Sequence, residues 1–478
     1  MMRRPELALA AALAAASVLV TVLVYGPVSG GALLGFDGYP LIAASTLDAP
    51  GDLLGTFGQE LMGGRYPDGR FYRPLVHLTF ALDHALGGLD PAQYARTDLA
   101  LAALTATLLG LLAAAMTGAR GRSAAAAAAL TAAIYLAHPA QLEVIPYAPR
   151  RADALALLFV TAAALAVIRG ARPWWTALLA LCAVLSKESG VIVVPVTFAA
   201  ALCRPDLASA ARALRATAGP FAGVALGLVL RTAVLGGLGG HAESGAPGAE
   251  SLASIASSLW SAAAGGAPWA RVPLALLLAG GLWVVGAPSS AHGRARALLP
   301  LLWAGGVVVL TSVSGRFHDW YALGLVAPMA LVGGVAVGGL NAGGIAAGAR
   351  SRAVSLAAGL ALAALAVLWH LGSPQRATLA VAQSISADQA RRFVALLEGA
   401  PPGEAAVFEP WVFAVATELG APPIFVHAPY SLSALGELTL GPAAVTVTQD
   451  AAAAPPAPGT VHVRLVPGPP PPSSVAPR

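Results

Sequence analysis

The chain has 478 residues, of which 57% are hydrophobic and only 11% charged. Soluble domains carry about 25% charged residues, so the composition excludes an ordinary soluble enzyme and reads as a polytopic membrane protein. The formal charge of +5 sits mostly in short loops, which speaks of membrane orientation and not of nucleic acid as a partner.

The N-terminal run "MMRRPELALAAALAAASVLVTVLVYG" has a basic start and an apolar stretch longer than the roughly 7–15 residues of a signal-peptide core. It predicts an uncleaved first span with a cytoplasmic N-terminus. About 20 apolar residues cross a bilayer as a helix. On that measure spans are expected near 7–27, 98–117, 124–139, 152–168, 217–236, 272–288, 297–314, 321–341 and 353–371. Arg3/Arg4, Arg120/Arg122, Arg169/Arg172, Arg204/Arg212/Arg215, Arg294/Arg296 and Arg350/Arg352 fall on alternate short loops. That is the positive-inside pattern, and it assigns those loops to the cytoplasm.

The stretch "LCAVLSKESGVIVVPV" holds Lys187, the single lysine of the chain, beside Glu188. Arg172 and Arg204 are both placed in the cytoplasm, and the 30 or so residues between them are too few for two full spans. Two short helices with Lys187-Glu188 at their junction satisfy both conditions, with Glu188 expected to hold Lys187. Polar backbone at that depth must be buried in protein or wet. Cys182 and Cys203 lie in apolar stretches and form neither a disulfide framework nor a CxxC metal site.

From Ser373 the character changes. "ADQARRFVALLEG" reads as an amphipathic helix, and "EAAVFEP", "PPIFVHAP", "AAVTVTQ" and "TVHVRLV" read as short strands. The expected fold class is therefore an all-α polytopic membrane protein of about 11 membrane segments with a small C-terminal α/β extracytoplasmic domain. Its expected parts are a membrane domain over 1–372 with a long first outer loop at 28–97, the α/β domain over 373–465, and an unordered Pro-rich tail over 466–478.

Polar residues gather at the outer boundary from separate loops: Asp37, Arg73, His138, Glu143, Arg151, Asp153, Lys187, Glu188, Arg316 and His318. Ionisable groups at membrane depth are costly and mark function. A carboxylate there can take a proton from an acceptor hydroxyl, and fixed cations can neutralise a departing phosphate. A polyprenyl-phosphate sugar, its tail in lipid and its head among these groups, suits the layout. Arg231, inside a span, either lines this region or snorkels.

The blocks "GFDGYPLI", "YRPLVHLTFALDHALGGLDPAQYARTDLALAAL", "YLAHPAQLEVIPYAPRRADALALLF" and "LSKESGVIVVP" occur in that order. Together they resemble the membrane half of the transmembrane and tetratricopeptide-repeat protein O-mannosyltransferases and their bacterial relatives. Those belong to the C-type glycosyltransferase superfamily, which uses polyprenyl-phosphate sugars. The resemblance covers about residues 30–200, with a weaker echo in "GRFHDWYALGLVAP".

The resemblance implies a general base at Asp37, which matches the first of the family's two acids; Gly38 stands in place of the second. It implies substrate binding by His138, Glu143, Arg151, Asp153, Lys187 and Glu188; Arg73 and Arg316 are substrate-binding candidates from their place at the outer boundary. Family polar positions fall here on Ala95, Asp98 and Ala102, and the helical repeats are absent from this sequence. Beside a ligand role, His138 before Pro139 also reads as a helix end, and Glu143 and Arg151 as partners of each other or of loop neighbours.

The expected function is transfer of a sugar, mannose among the candidates, from the lipid donor to an extracytoplasmic protein or glycan. The expected location is a bacterial cell membrane, with the C-terminus outside the cytoplasm. No cofactor is expected and no metal ligands are assigned, with a divalent metal left open; the partners are the lipid donor, the membrane and an acceptor the sequence does not identify. The alternatives are a lipid-linked-sugar transporter, for which no inverted repeat is visible, and a non-catalytic lipid-sugar-binding relative, which Gly38 favours.

Overall fold

A computed structural model describes residues 4–241 (except 48, 50, 67, 68, 119, 120 and 208), 249–263, 275, 278–279, 282, 291–314, 318–341, 367, 370–400, 405–409, 429–441, 444–448 and 460–466. The helices in chain order are α1 (Arg4–Tyr25), α2 (Gly38–Ala43), α3 (Asp52–Gly55), α4 (Pro74–Gly87), α5 (Pro91–Thr117), α6 (Arg122–Ala137), α7 (Arg151–Ile168) and α8 (Pro173–Ser186). They continue with α9 (Val193–Leu202), α10 (Ala210–Ala216), α11 (Ala218–Leu235), α12 (Ala249–Ala263), α13 (Ala291–Ser314), α14 (Leu323–Asn341), α15 (Pro374–Gly399) and α16 (Pro429–Leu440).

Local chemistry sets several boundaries. α4, α5, α8 and α15 each begin with proline at the first helical position, where a missing N–H leaves nothing unsatisfied. The Asp90 carboxylate accepts from the Ala92 N–H at 3.0 Å to start α5, and Gly118 ends it in the left-handed region at φ 63°.

Among the described residues six helical stretches are long and apolar enough to cross a membrane: Arg4–Val28, Pro91–Thr117, Ala148–Ile168, Ala218–Leu235, Arg296–Ser314 and Trp320–Gly338. Three shorter apolar helices, Arg122–Ala137, Pro173–Ser186 and Glu188–Leu202, pack among them. The protein is thus an integral membrane protein built mainly of helices. The spans expected at 272–288 and 353–371 lie almost wholly outside the described residues, as do the expected strand at 422–429 and the tail beyond 466.

The bundle has two chemically distinct ends. At one, Arg169 pairs with Glu6 at 3.1 Å, Arg204 Nη1 donates to the Val167 carbonyl at 3.1 Å, and the Arg296 guanidinium lies against Gly118. At the other, the Tyr25 hydroxyl donates to the Leu136 carbonyl and Arg376 donates to the Val24 carbonyl at 2.6 Å. α1 links the two ends over 22 residues, about 33 Å at 1.5 Å per residue.

One apolar core, holding Leu112, Ala128, Val160, Trp303, Val326 and Leu331, fills the bundle. A second joins distant parts of the chain: Leu33, Tyr39 and Ile42 pack in one cluster with Leu432, Leu435 and Val463. Residues 405–408, 445–448 and 461–465 form a three-stranded parallel sheet with 461–465 in the centre, Ala405 opposite His462 and Val445 opposite Val461. The expected strands at three of four places are therefore present. Residues 445–448 pack on α16, and α16 packs on α2.

Candidate functional site

The site is organised by the break between α8 and α9. α8 stops at Ser186, Lys187 is extended (φ −159°, ψ 146°), and residues Glu188–Ile192 form a tight 3-10 turn before α9. The turn folds back on α8 so closely that a Cβ on Gly190 would lie 2.3 Å from the Ala183 carbonyl oxygen; only glycine fits.

α11 packs on α8 through a stripe of small residues. A Cβ added at Gly219 or Gly223 would lie 2.3 or 2.1 Å from α8 carbonyl oxygens, and one at Gly227 would lie 2.8 Å from Val184 Cγ1. One further turn along that face places Arg231 beside Glu188.

The ion pairs differ from those expected. Lys187 is buried and donates to Asp153 Oδ1 at 2.6 Å, with its ammonium 4.5 Å from the Tyr321 ring centre. Glu188 instead takes a two-pronged contact from Arg73, at 2.6 Å from Nη2 and 3.2 Å from Nε. Arg231 Nη1 stands 3.6 Å from Glu188 Oε2, the oxygen that Arg73 Nε also reaches. The expected Lys187–Glu188 pair is corrected, and the cause is local. An extended residue sends its side chain to the opposite side from the next one, so neighbours at a break diverge. Each reaches a different helix: Lys187 joins α8 to α7, and Glu188 joins it to α4 and α11.

Asp37 stands at the start of α2 but does not cap it. Its carboxylate accepts from the Tyr430 hydroxyl at 2.7 Å, across 393 positions of chain, and the Phe36 ring meets the Tyr430 ring edge-on. Burial pushes the Asp37 carboxyl above the usual carboxylate range. The Tyr430 hydrogen bond and the Arg73 and Arg150 guanidiniums pull it partly back. Arg73 thus lies within electrostatic reach of both Asp37 and Asp153.

Sequence reasoning missed Arg150. Its guanidinium lies 3.9 Å from the Tyr147 ring centre and 4.1 Å from that of Trp320, and it donates to Glu143 Oε2 at 2.7 Å. Of the two arrangements expected for Glu143, it takes the pairing with a loop neighbour, Arg150, and not with Arg151. Arg151 turns the other way, because α7 begins at that residue and consecutive helical residues point about 100° apart. Its side chain has no exposure; it pairs with Asp83 at 2.7 Å and Asp98 at 2.7 Å and donates to the Tyr94 carbonyl at 3.0 Å. It clasps α4, α5 and α7 together. Asp98, an acid set among apolar residues of α5, was the available signal.

His138 is likewise bonded within the fold. Its Nδ1 accepts from the Ala140 N–H at 3.1 Å, so Nε2 carries the proton toward the Ala263 carbonyl at 2.8 Å. The helix-end reading matches its place at the end of α6. Arg316 lies outside the described residues. His318 is stacked on Trp320 with ring centres 4.1 Å apart.

The break and the loop before α4 bring a half-buried carboxylate and several paired cations to one end of a helical bundle. The fold of the bundle is similar to that of a solved bacterial protein. The structure of ArnT from Cupriavidus metallidurans in the apo state aligns with a TM-score of 0.50 at 15% identity, over 92% of this chain and 85% of that one. The same protein bound to undecaprenyl phosphate gives 0.49 at 13% identity, over 92% and 86%. In sequence, the mouse protein O-mannosyl-transferase TMTC2 is 33% identical over 137 residues, 26% of this chain and 16% of the relative. The match thus spans under a fifth of that relative's length. No family model matches.

Proposed function

We propose that the protein transfers a sugar from a polyprenyl-phosphate donor to a hydroxyl acceptor outside the cytoplasm. The observation that carries the reading is Asp37. It is a half-buried carboxylate whose side chain caps no helix, is held by a tyrosine hydroxyl, and stands within the field of Arg73 and Arg150. In this reading Asp37 takes the proton of the acceptor hydroxyl as its oxygen bonds to the sugar's anomeric carbon. The bond from that carbon to the phosphate oxygen breaks, and the phosphate leaves with the electron pair. Lys187, Arg73 and Arg231 stabilise the charge that builds on it.

Mannose is the donor sugar we favour, on the strength of the local similarity to an O-mannosyl-transferase. The reading also has about 11 membrane segments, with residues 373–465 forming an extracytoplasmic α/β domain over the site. The sheet and the shared core with the first outer loop support that assignment. No metal or cofactor takes part in it.

The test is transfer from radiolabelled polyprenyl-phosphate mannose in membranes holding the wild type or Asp37→Asn. General-base loss typically costs about 10²–10⁴ in rate, so the variant is expected to lose label transfer by that factor at normal expression. Full transfer by the variant refutes Asp37 as the base. Binding or translocation of label without transfer by the wild type favours the binding-protein or transporter alternatives.

A further inference from the structure

A donor phosphate needs cations, and the described cations around the break already hold carboxylates. Lys187 holds Asp153, Arg73 holds Glu188 and Arg150 holds Glu143. A phosphate that enters must therefore displace one of them, and the geometry singles out Glu188. Its side chain is 36% exposed, against 15% for Asp153 and 12% for Glu143. Its carboxylate lies between two guanidiniums: both oxygens accept from Arg73, at 2.6 and 3.2 Å, and Oε2 also stands 3.6 Å from Arg231 Nη1. It also rides on a 3-10 turn at a helix break, where a rotation of the side chain disturbs no α-helical hydrogen bond.

Arg231 adds an independent pointer. Its Nη1 is buried and has no hydrogen-bond partner among the described residues, although Nε donates to the Leu238 carbonyl at 2.5 Å. A buried charged donor left without an acceptor is costly, and an anion seated between Arg231 and Arg73 relieves it. Guanidinium forks take carboxylate and phosphate oxygens in the same two-pronged manner, so one anion can stand where the other stood.

We propose that the Glu188 carboxylate occupies the seat of the donor phosphate in the unliganded protein, and that donor binding drives it out. The inference rests on the polyprenyl-phosphate reading above. A polyprenyl-phosphate sugar is a phosphodiester with a single negative charge, so it replaces Glu188 charge for charge between Arg73 and Arg231. The product is a phosphate monoester with the higher charge, about −1.5 to −2 at neutral pH. Glu188 returning to the two arginines then helps to release it.

The experiment measures undecaprenyl phosphate binding to the purified full-length protein in lipid nanodiscs, with undecaprenol as the uncharged control. Glu188→Gln keeps the shape and removes the competing charge. Its affinity for undecaprenyl phosphate is expected to rise about 10- to 100-fold, the range that hydrogen bonds to charged groups span. Its affinity for undecaprenol should not change. Lys187→Met, which removes a cation and no competitor, is expected to weaken phosphate binding. Where Glu188→Gln does not fold, Glu188→Asp, whose shorter reach loosens the grip on Arg73, is expected to give an intermediate gain. Equal or weaker phosphate binding by the folded Glu188 variant, beside a wild type that prefers undecaprenyl phosphate to undecaprenol, overturns the exchange and leaves the donor reading intact. A wild type that does not distinguish the two lipids overturns both.

Discussion

Asp37 and Tyr430 show how single residues set the chemistry. A buried carboxylate resists ionisation, and a base is useful only when ionised. Because burial raises the Asp37 pKa, transfer is expected to fall, as pH drops, at a higher pH than an exposed aspartate with its pKa near 3.9 would give. The Tyr430 hydroxyl stabilises the ionised form, so Tyr430→Phe removes a lowering influence and lifts the pKa further. The acid limb of the pH–rate profile should then move to higher pH, while the plateau at alkaline pH stays near the wild-type value. A uniform loss at all pH values, with no displacement of the limb, would mean that Tyr430 only glues α16 to the first outer loop.

At the scale of elements, the candidate site depends on how closely α11 lies on α8. The spacing Gly219, Gly223, Gly227, Arg231 puts three small residues and one cation on a single face, and the small residues bring the cation to Glu188. Gly223→Ala places a methyl group 2.1 Å from the Ala177 carbonyl oxygen, so the helices must part. Overpacking of this kind costs about 1–3 kcal/mol, and it should lower the unfolding temperature in detergent. Gly55→Ala, where nothing lies within 4 Å of the new Cβ, serves as the control and should stay within about 0.5 kcal/mol of the wild type.

Much of this was legible in the sequence. Two short helices around Lys187 followed from the length between Arg172 and Arg204, and the strands at 405–408, 445–448 and 461–465 followed from alternation. Which carboxylate holds which cation was not legible. Adjacent residues such as Lys187 and Glu188, or Arg150 and Arg151, point to different helices, and only the packing decides which helix each one meets. The role of Tyr430 was equally hidden, since it depends on α16 meeting a loop 393 positions earlier.

At the scale of the whole molecule, the two ends of the bundle differ in a way that bears on sidedness. Arg169, Arg204 and Arg296, which the loop pattern assigns to the cytoplasm, cluster at the Glu6 end of α1. Asp37 and Tyr430 meet each other beyond the Tyr25 end, where Arg376 of α15 also binds the Val24 carbonyl. Lys and Arg near membrane ends are retained in the cytoplasm, so the expectation is a cytoplasmic Glu6 end and an outward-facing Asp37 end. A reporter active only outside the cytoplasm should then work when fused at Pro374, at the start of α15, and fail when fused after Arg122 or Arg296. The fusion sites are informative because α1 alone spans about 33 Å between the ends, more than the roughly 30 Å hydrocarbon core, so the two ends cannot share a compartment. Activity of the reporter after Arg122 would put the arginine end outside, turn Asp37 toward the cytoplasm, and remove the case for an extracytoplasmic acceptor.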